Sequence, residues 1–275
     1  MKPAKGKFKI GIVGCGASGS GIALSVSTDL RKTCQLRGLY DIDLEKSTKL
    51  GKNLSLRGIT KKSLESLIKN CDCIVEAVNS NSTEDIIRKA LKAKKDVLSM
   101  SVGKLLNAPD LFQLAYQYKT NLLIPSGAIA GMDAIKAASL VGIEAITLTT
   151  RKPPRGFLNN PYLTKKGIDP LKIKKEYVIF EGSVASAVKA FPQNINVAAT
   201  LALGSQCLKK IKVRILTSPK YKTNSHEIYL TGKFGTIRTQ TDNAICPDNP
   251  KTSYLAVLSG IQTLKQYSGQ IFIGT

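Results

Sequence analysis

Lys7-Phe8-Lys9-Ile10-Gly11-Ile12-Val13-Gly14-Cys15-Gly16-Ala17-Ser18-Gly19 decides the fold of this 275-residue chain. Phe8 to Val13 reads as a short buried strand, and a helical pattern runs from Ala17 to about Leu30. Between them lies Gly14-x-Gly16-x-x-Gly19. Gly14 permits a tight turn, Gly16 leaves room for a pyrophosphate, and Gly19 lets helix and strand pack closely. The free N–H groups of the helix start favour phosphate. The loop therefore predicts a dinucleotide site built from Gly14, Gly16, Ala17, Ser18 and Gly19. A second strand pattern, Gln35 to Tyr40, ends at Asp41, about 20 residues beyond the last glycine. An acid there meets the adenosine ribose hydroxyls. It favours NAD, because a carboxylate repels a 2′-phosphate, while nearby Lys46 pulls toward NADP, so both cofactors stay open. The competing reading is a glycine turn that binds nothing.

Outward from that stretch, strand and helix patterns alternate for about 125 residues, which predicts a parallel sheet covered on both faces. Ligands of such sheets lie beyond the carboxyl ends of the strands. Asn79, Ser101 and Ser126-Gly127-Ala128 fall on that rim, and Asn79 joins the cofactor set. Near Ser126 the texture changes. Strands with one buried face are expected at 143–150, 177–180, 212–217, 224–231 and 236–240, the last two joined through Gly232-Lys233-Phe234-Gly235. Residues 152–176 read as a loop, 252–264 as a helix and 270–273 as a closing strand. The expected architecture is α/β: a Rossmann-type parallel-sheet domain, with a second α+β catalytic domain on a mostly antiparallel sheet. The first spans residues 1–125 plus 245–275, the second 126–244.

Composition bounds the function. A hydrophobic content of 43% fills a real core, and no run approaches 18 apolar residues. Neither a membrane partner nor a signal segment is expected. Six dispersed cysteines without a CxxC pair read as reduced thiols of a cytoplasmic protein, and one histidine leaves little for a metal site. The net charge of +22 raises nucleic acid as a partner. The lysines are scattered, however, and no nucleic-acid motif accompanies them. They read as a solvated basic surface that attracts dinucleotides and small anions, with no nucleic acid bound.

His226, the sole histidine, lies in Asn224-Ser225-His226-Glu227-Ile228. Imidazole is the side chain whose ordinary pKa suits proton transfer near neutral pH. On a strand, His226 shares a face with Ile228 and Leu230, so a packed core histidine is the equal alternative. Phe191-Pro192-Gln193-Asn194-Ile195-Asn196 places two asparagines at a helix start, where one suffices as a cap. The other is available for a carboxamide or a substrate.

Several stretches together resemble the L-aspartate dehydrogenase family. They are the glycine loop, Pro125 to Ala134, Thr149-Thr150-Arg151-Lys152-Pro153, Phe180-Glu181-Gly182-Ser183, Phe191 to Thr200, Asn224-x-His226-Glu227-Ile228, Gly232-x-Phe234-Gly235 and Asn249-Pro250-Lys251-Thr252-Ser253-Tyr254. The resemblance implies a homodimer that reversibly converts L-aspartate to iminoaspartate with NAD or NADP. Iminoaspartate then hydrolyses to oxaloacetate and ammonia or feeds NAD biosynthesis. The family's catalytic histidine falls on His226, and its cofactor contacts on Ala128 and on Asn194 or Asn196, with Asn196 favoured. Arg151, Lys152 and Lys251 lie in matched motifs and are candidates for the substrate carboxylates. Ser18 and Lys104 depart from the family pattern near the nucleotide. Dihydrodipicolinate reductase, with its paired histidines, and homoserine dehydrogenase fit less well. A dehydrogenase of another amino acid, an NAD-sensing protein without turnover and a nucleic-acid-binding protein are the competing classes.

Overall fold

The computed structural model describes residues 6–78, 80–191, 195–246 and 249–274, and of 249–251 the backbone. The chain divides into two compact units. One holds the residues up to Pro125 together with Ala256–Ile273, the other Ser126–Leu255.

The first unit opens with β1 (Phe8–Val13), α1 (Ala17–Ser27), β2 (Cys34–Tyr40), α2 (Leu44–Asn53) and α3 (Leu64–Lys69). It continues with β3 (Cys73–Glu76), α4 (Thr83–Lys92), β4 (Asp96–Ser99), α5 (Val102–Leu105), α6 (Pro109–Tyr118) and β5 (Leu122–Leu123). The strands form a parallel sheet in the order β2-β1-β3-β4-β5. Ile10, Ile12, Ile74, Val75, Val97 and Leu98 are wholly buried, as continuous apolar strands covered on both faces must be. Local signals set the helix starts: the Asp43 carboxylate accepts from Glu45 N, and Ser63 Oγ accepts from Ser66 N. The chain leaves β1 on one side for β2 and returns on the other for β3, so the strand order reverses beside the glycine loop.

The second unit runs α7 (Met132–Ser139), β6 (Ile143–Lys152), α8 (Pro161–Lys165), β7 (Tyr177–Ser183), α9 (Val184–Ala190) and α10 (Asn196–Ser205). Then come β8 (Ile211–Thr217), β9 (Asn224–Gly232), β10 (Gly235–Asn243) and the small hairpin β11 (Ile245–Cys246) with β12 (Asn249–Ser253). Its sheet has the order β10-β9-β6-β8-β7. Only β6 and β8 pair parallel; the other ladders are antiparallel. Phe157, Tyr162, Phe180 and Phe191 stack edge-on or tilted in its core.

The last helix, α11 (Tyr254–Ser268), belongs from Ala256 onward to the first unit. The Tyr267 hydroxyl donates to Asp96 Oδ2 at 2.8 Å and accepts from Asn121 Nδ2 at 2.6 Å, while its ring meets Phe8 edge-on. Gly21 and Gly260 allow close approach: a Cβ on Gly21 would lie 2.8 Å from Val257, and one on Gly260 2.7 Å from Met100.

Some local expectations fail for physical reasons. Residues 152–176 are not bare loop; Asn160 and Asp169 each cap a short helical turn that opens with Pro161 or Pro170. Residues 270–273 form no strand, having no ladder partner among the described residues. The helix near the C-terminus starts at Tyr254, because Thr252 and Ser253 are taken into the β12 ladder. The return to the first unit accordingly falls at Ala256, after that hairpin, rather than near 245.

Candidate active site

In the first unit the glycine loop has the form a phosphate needs. Gly14 sits at φ +91°, where a Cβ would meet the Ala77 carbonyl oxygen at 2.5 Å, and a Cβ on Gly19 would fall 1.8 Å from the Gly14 oxygen. Gly16 is different. It is exposed, its φ of −76° suits any residue, and a Cβ there would stand in open space. Its missing side chain thus leaves room outside the fold rather than within it. Gly16 also caps α1 without a side chain, so no side chain competes for the amides of the first turn, where Ala17 and Ser18 lie half-buried. This cradle fits a pyrophosphate.

Asp41 closes the loop from β2. Its Oδ2 accepts from Cys15 N at 2.7 Å, and its Oδ1 accepts from Asp43 N at 2.9 Å. A carboxylate offers about four acceptor sites, so both oxygens retain capacity for ribose hydroxyls. Burial and then the Asp41 charge push the Cys15 thiol up to about 12, which makes it an inert thiol. Farther along the rim, Lys104 Nζ donates to Asn81 Oδ1 at 3.0 Å, so this departure from the family pattern spans two rim turns. Asn79 lies outside the described residues.

In the second unit, β6 and β9 bring Thr150 opposite His226. His226 Nδ1 lies 3.0 Å from Thr150 Oγ1, and both residues are about 5% exposed. Alternation along β6 puts Lys152 on the same face as Thr150, and the two line a small cavity with Phe157, Phe191, Ile195 and Ala198. Burial holds the Lys152 ammonium down at about 8. Burial, and then the Lys152 charge, push the His226 imidazole down to about 3. A neutral imidazole beside a cation is thus the resting state. Across β10, Thr241 pairs with His226. Thr241 Oγ1 donates to the Ala128 carbonyl at 2.8 Å, and Asn243 Nδ2 donates to the same oxygen at 3.2 Å. The Ala128 turn is thereby fastened to the strand beside His226's.

The structure does not bring every candidate to this face. Arg151 points to the other side of the sheet, where its Nη2 lies 2.9 Å from Glu227 Oε2, and Arg238 binds the second Glu227 oxygen at 2.7 Å. Asn196 is exposed in the first turn of α10. Asn194 lies outside the described residues, and of Lys251 only the place on β12 is described. Sequence reasoning missed Glu76, Thr241 and Asn243. Glu76 closes an apolar strand run, and the two β10 residues show only strand alternation; their partners come from distant parts of the chain.

A glycine cradle closed by a carboxylate at the next strand end, and a histidine–lysine pair on a second sheet, have the chemistry of a nicotinamide-dinucleotide-dependent oxidoreductase. Two family models match: residues 14–125 fit the NAD-binding domain of homoserine dehydrogenase, and residues 133–267 the C-terminal domain of aspartate dehydrogenase. An L-aspartate dehydrogenase of Methanosarcina mazei is 41% identical over 98% of this chain and 100% of its own. One of Methanococcus maripaludis is also 41% identical, again over 98% of this chain and 100% of its own. The chain belongs to the L-aspartate dehydrogenase family. The crystal structure of an aspartate dehydrogenase from Thermotoga maritima, 23% identical, shares the fold with a TM-score of 0.73 over 98% of this chain and 100% of that one.

Proposed function

We propose that this chain oxidises L-aspartate to iminoaspartate with NAD or NADP, and runs the reverse reaction, with His226 moving the proton. The observation that carries the reading is the buried His226–Thr150 pair beside Lys152 on one sheet face. Gly14, Gly16, Ala17, Ser18, Gly19, Asp41 and Asn79 would hold the cofactor, with Ala128 and Asn196 (or Asn194) at its nicotinamide end. When bound, the nicotinamide supplies the two-electron acceptor.

The chain's own residues supply the rest. Lys152, charged over most of the physiological range, draws a substrate carboxylate; Lys251 is the candidate for the second. Arg151 is engaged by Glu227 and is placed last. If Nδ1–H donates to Thr150 Oγ1, His226 Nε2 is left as an acceptor. It takes a proton from the water that adds to the imine carbon, and returns one in the reverse direction. A substrate dicarboxylate beside Lys152 offsets the lysine's charge. That raises the His226 pKa toward the range where it exchanges protons.

The family resemblance supports a homodimer, and the dispersed lysines argue against nucleic acid. All six cysteines are free, which suits the cytoplasm. No helix among the described residues is long and apolar enough to cross a membrane. The test is cofactor reduction with each common amino acid and with NAD or NADP, alongside light scattering for mass. L-Aspartate should be the substrate turned over fastest. Turnover of another amino acid alone would replace the substrate, and binding without any turnover would make the chain a nucleotide sensor.

A further inference from the structure

Glu76, the last residue of β3, is wholly buried and carries no part of the chemistry described so far. Its Oε1 accepts from Val78 N at 3.0 Å and lies 2.9 Å from Ser101 Oγ and 3.2 Å from Thr83 Oγ1. Its Oε2 accepts from Ser99 Oγ at 2.8 Å and from Ser101 N at 3.3 Å. One carboxylate thus joins the end of β4, the start of α5, the start of α4 and the turn after β3. Burial pushes the Glu76 carboxyl up, and the surrounding hydroxyls and amides oppose that.

Each oxygen receives one backbone N–H. Hydroxyls can rotate to suit a changed partner, but backbone amides only donate. A glutamine in this place, whichever way it is turned, would set its NH2 against Val78 N or Ser101 N. The site therefore calls for the carboxylate, not for a neutral group of the same shape.

The position gives this knot a purpose. Asp41 at the end of β2 marks the adenosine ribose, and the glycine loop after β1 marks the pyrophosphate. A dinucleotide laid along that edge continues to the next strand away from β2, which is β3. The turns that Glu76 fixes lie there, and Lys104 ties Asn81 to α5 beside them.

We infer that Glu76 is a positioning residue for the nicotinamide half of the cofactor, holding the turns after β3 and β4 in their binding form. The inference rests on the cofactor reading above. Calorimetry with NAD, NADP and ADP on the full chain, wild type and Glu76→Gln, tests it, with thermal melting on the same samples. Glu76→Gln should weaken the better-bound dinucleotide about tenfold or more, the worth of a charge-assisted hydrogen bond. ADP, which needs only β2 and the glycine loop, should change by less than about twofold on the same scale. Ser101→Ala removes one hydroxyl and keeps both amides. It should shift the dinucleotide-to-ADP ratio the same way by a few-fold, and it decides the matter should Glu76→Gln not fold. An unchanged ratio, whether neither ligand weakens or both weaken alike, overturns the inference. A wild-type chain that binds none of the three ligands sinks the cofactor reading and this inference with it.

Discussion

His226 is packed like a core residue, 5% exposed, and is the residue proposed to move the proton. His226→Ala should retain dinucleotide affinity and lose turnover by roughly two to four orders of magnitude. A folded variant of normal turnover would remove it from the mechanism. Its environment also predicts a pH effect on stability. The native imidazole titrates near 3, and the unfolded one near its ordinary 6.5. Between those values the unfolded chain binds the extra proton, so this group's contribution is present above about 6.5 and is lost as pH falls toward 3. Between pH 7 and about pH 4.5, the wild type should lose roughly 2 kcal/mol more than His226→Asn in urea unfolding, because asparagine does not titrate. Equal losses would mean that the native imidazole titrates near its unfolded value, and the depression by burial would then be absent. The lone imidazole also gives one set of ring resonances, so NMR follows its titration directly.

At the scale of elements, the glycine loop separates binding from folding. Gly16→Val adds a side chain where nothing stands, so the melting temperature should stay close to wild type while dinucleotide affinity falls by about tenfold or more. Gly19→Ala forces a carbon to within 1.8 Å of the Gly14 oxygen and should destabilise the unit by about 1–3 kcal/mol. If Gly16→Val binds NAD and NADP normally, the cradle is not the phosphate site. These elements were legible because their signals are local: a strand run, spaced glycines, an acid at the next strand end. The turns at Asn160-Pro161 and Asp169-Pro170 were equally readable as cap-plus-proline pairs, and only the surrounding lysines disguised them. Glu76 was not readable. A carboxylate at the end of Cys73-Ile74-Val75 shows neither its burial nor the serines that approach it from β4 and α5. The pairing of Arg151 with Glu227 was hidden in the same way, since the two lie 76 positions apart.

On the scale of the whole molecule, a net charge of +22 surrounds sites proposed for a dinucleotide and a dicarboxylate. Raising salt from about 0.01 M to about 1 M shrinks the screening length from about 30 Å to about 3 Å. Over that range kcat/KM for L-aspartate should fall by roughly threefold or more while kcat changes little. A flat kcat/KM would reduce the basic surface to a matter of solubility. The two-unit division has a different reach. The residues of α11 that complete the first unit, Val257, Gly260 and Tyr267 among them, come after the entire second unit in sequence. During synthesis on the ribosome the parallel sheet emerges before the second unit, yet it lacks this covering helix until α11 leaves the exit tunnel. The second unit, whose body is continuous from Ser126 to Leu255, is free to fold in that interval. For the nascent chain, the parallel sheet must wait for a helix made after the second unit, and its uncovered face is open to a chaperone in that interval.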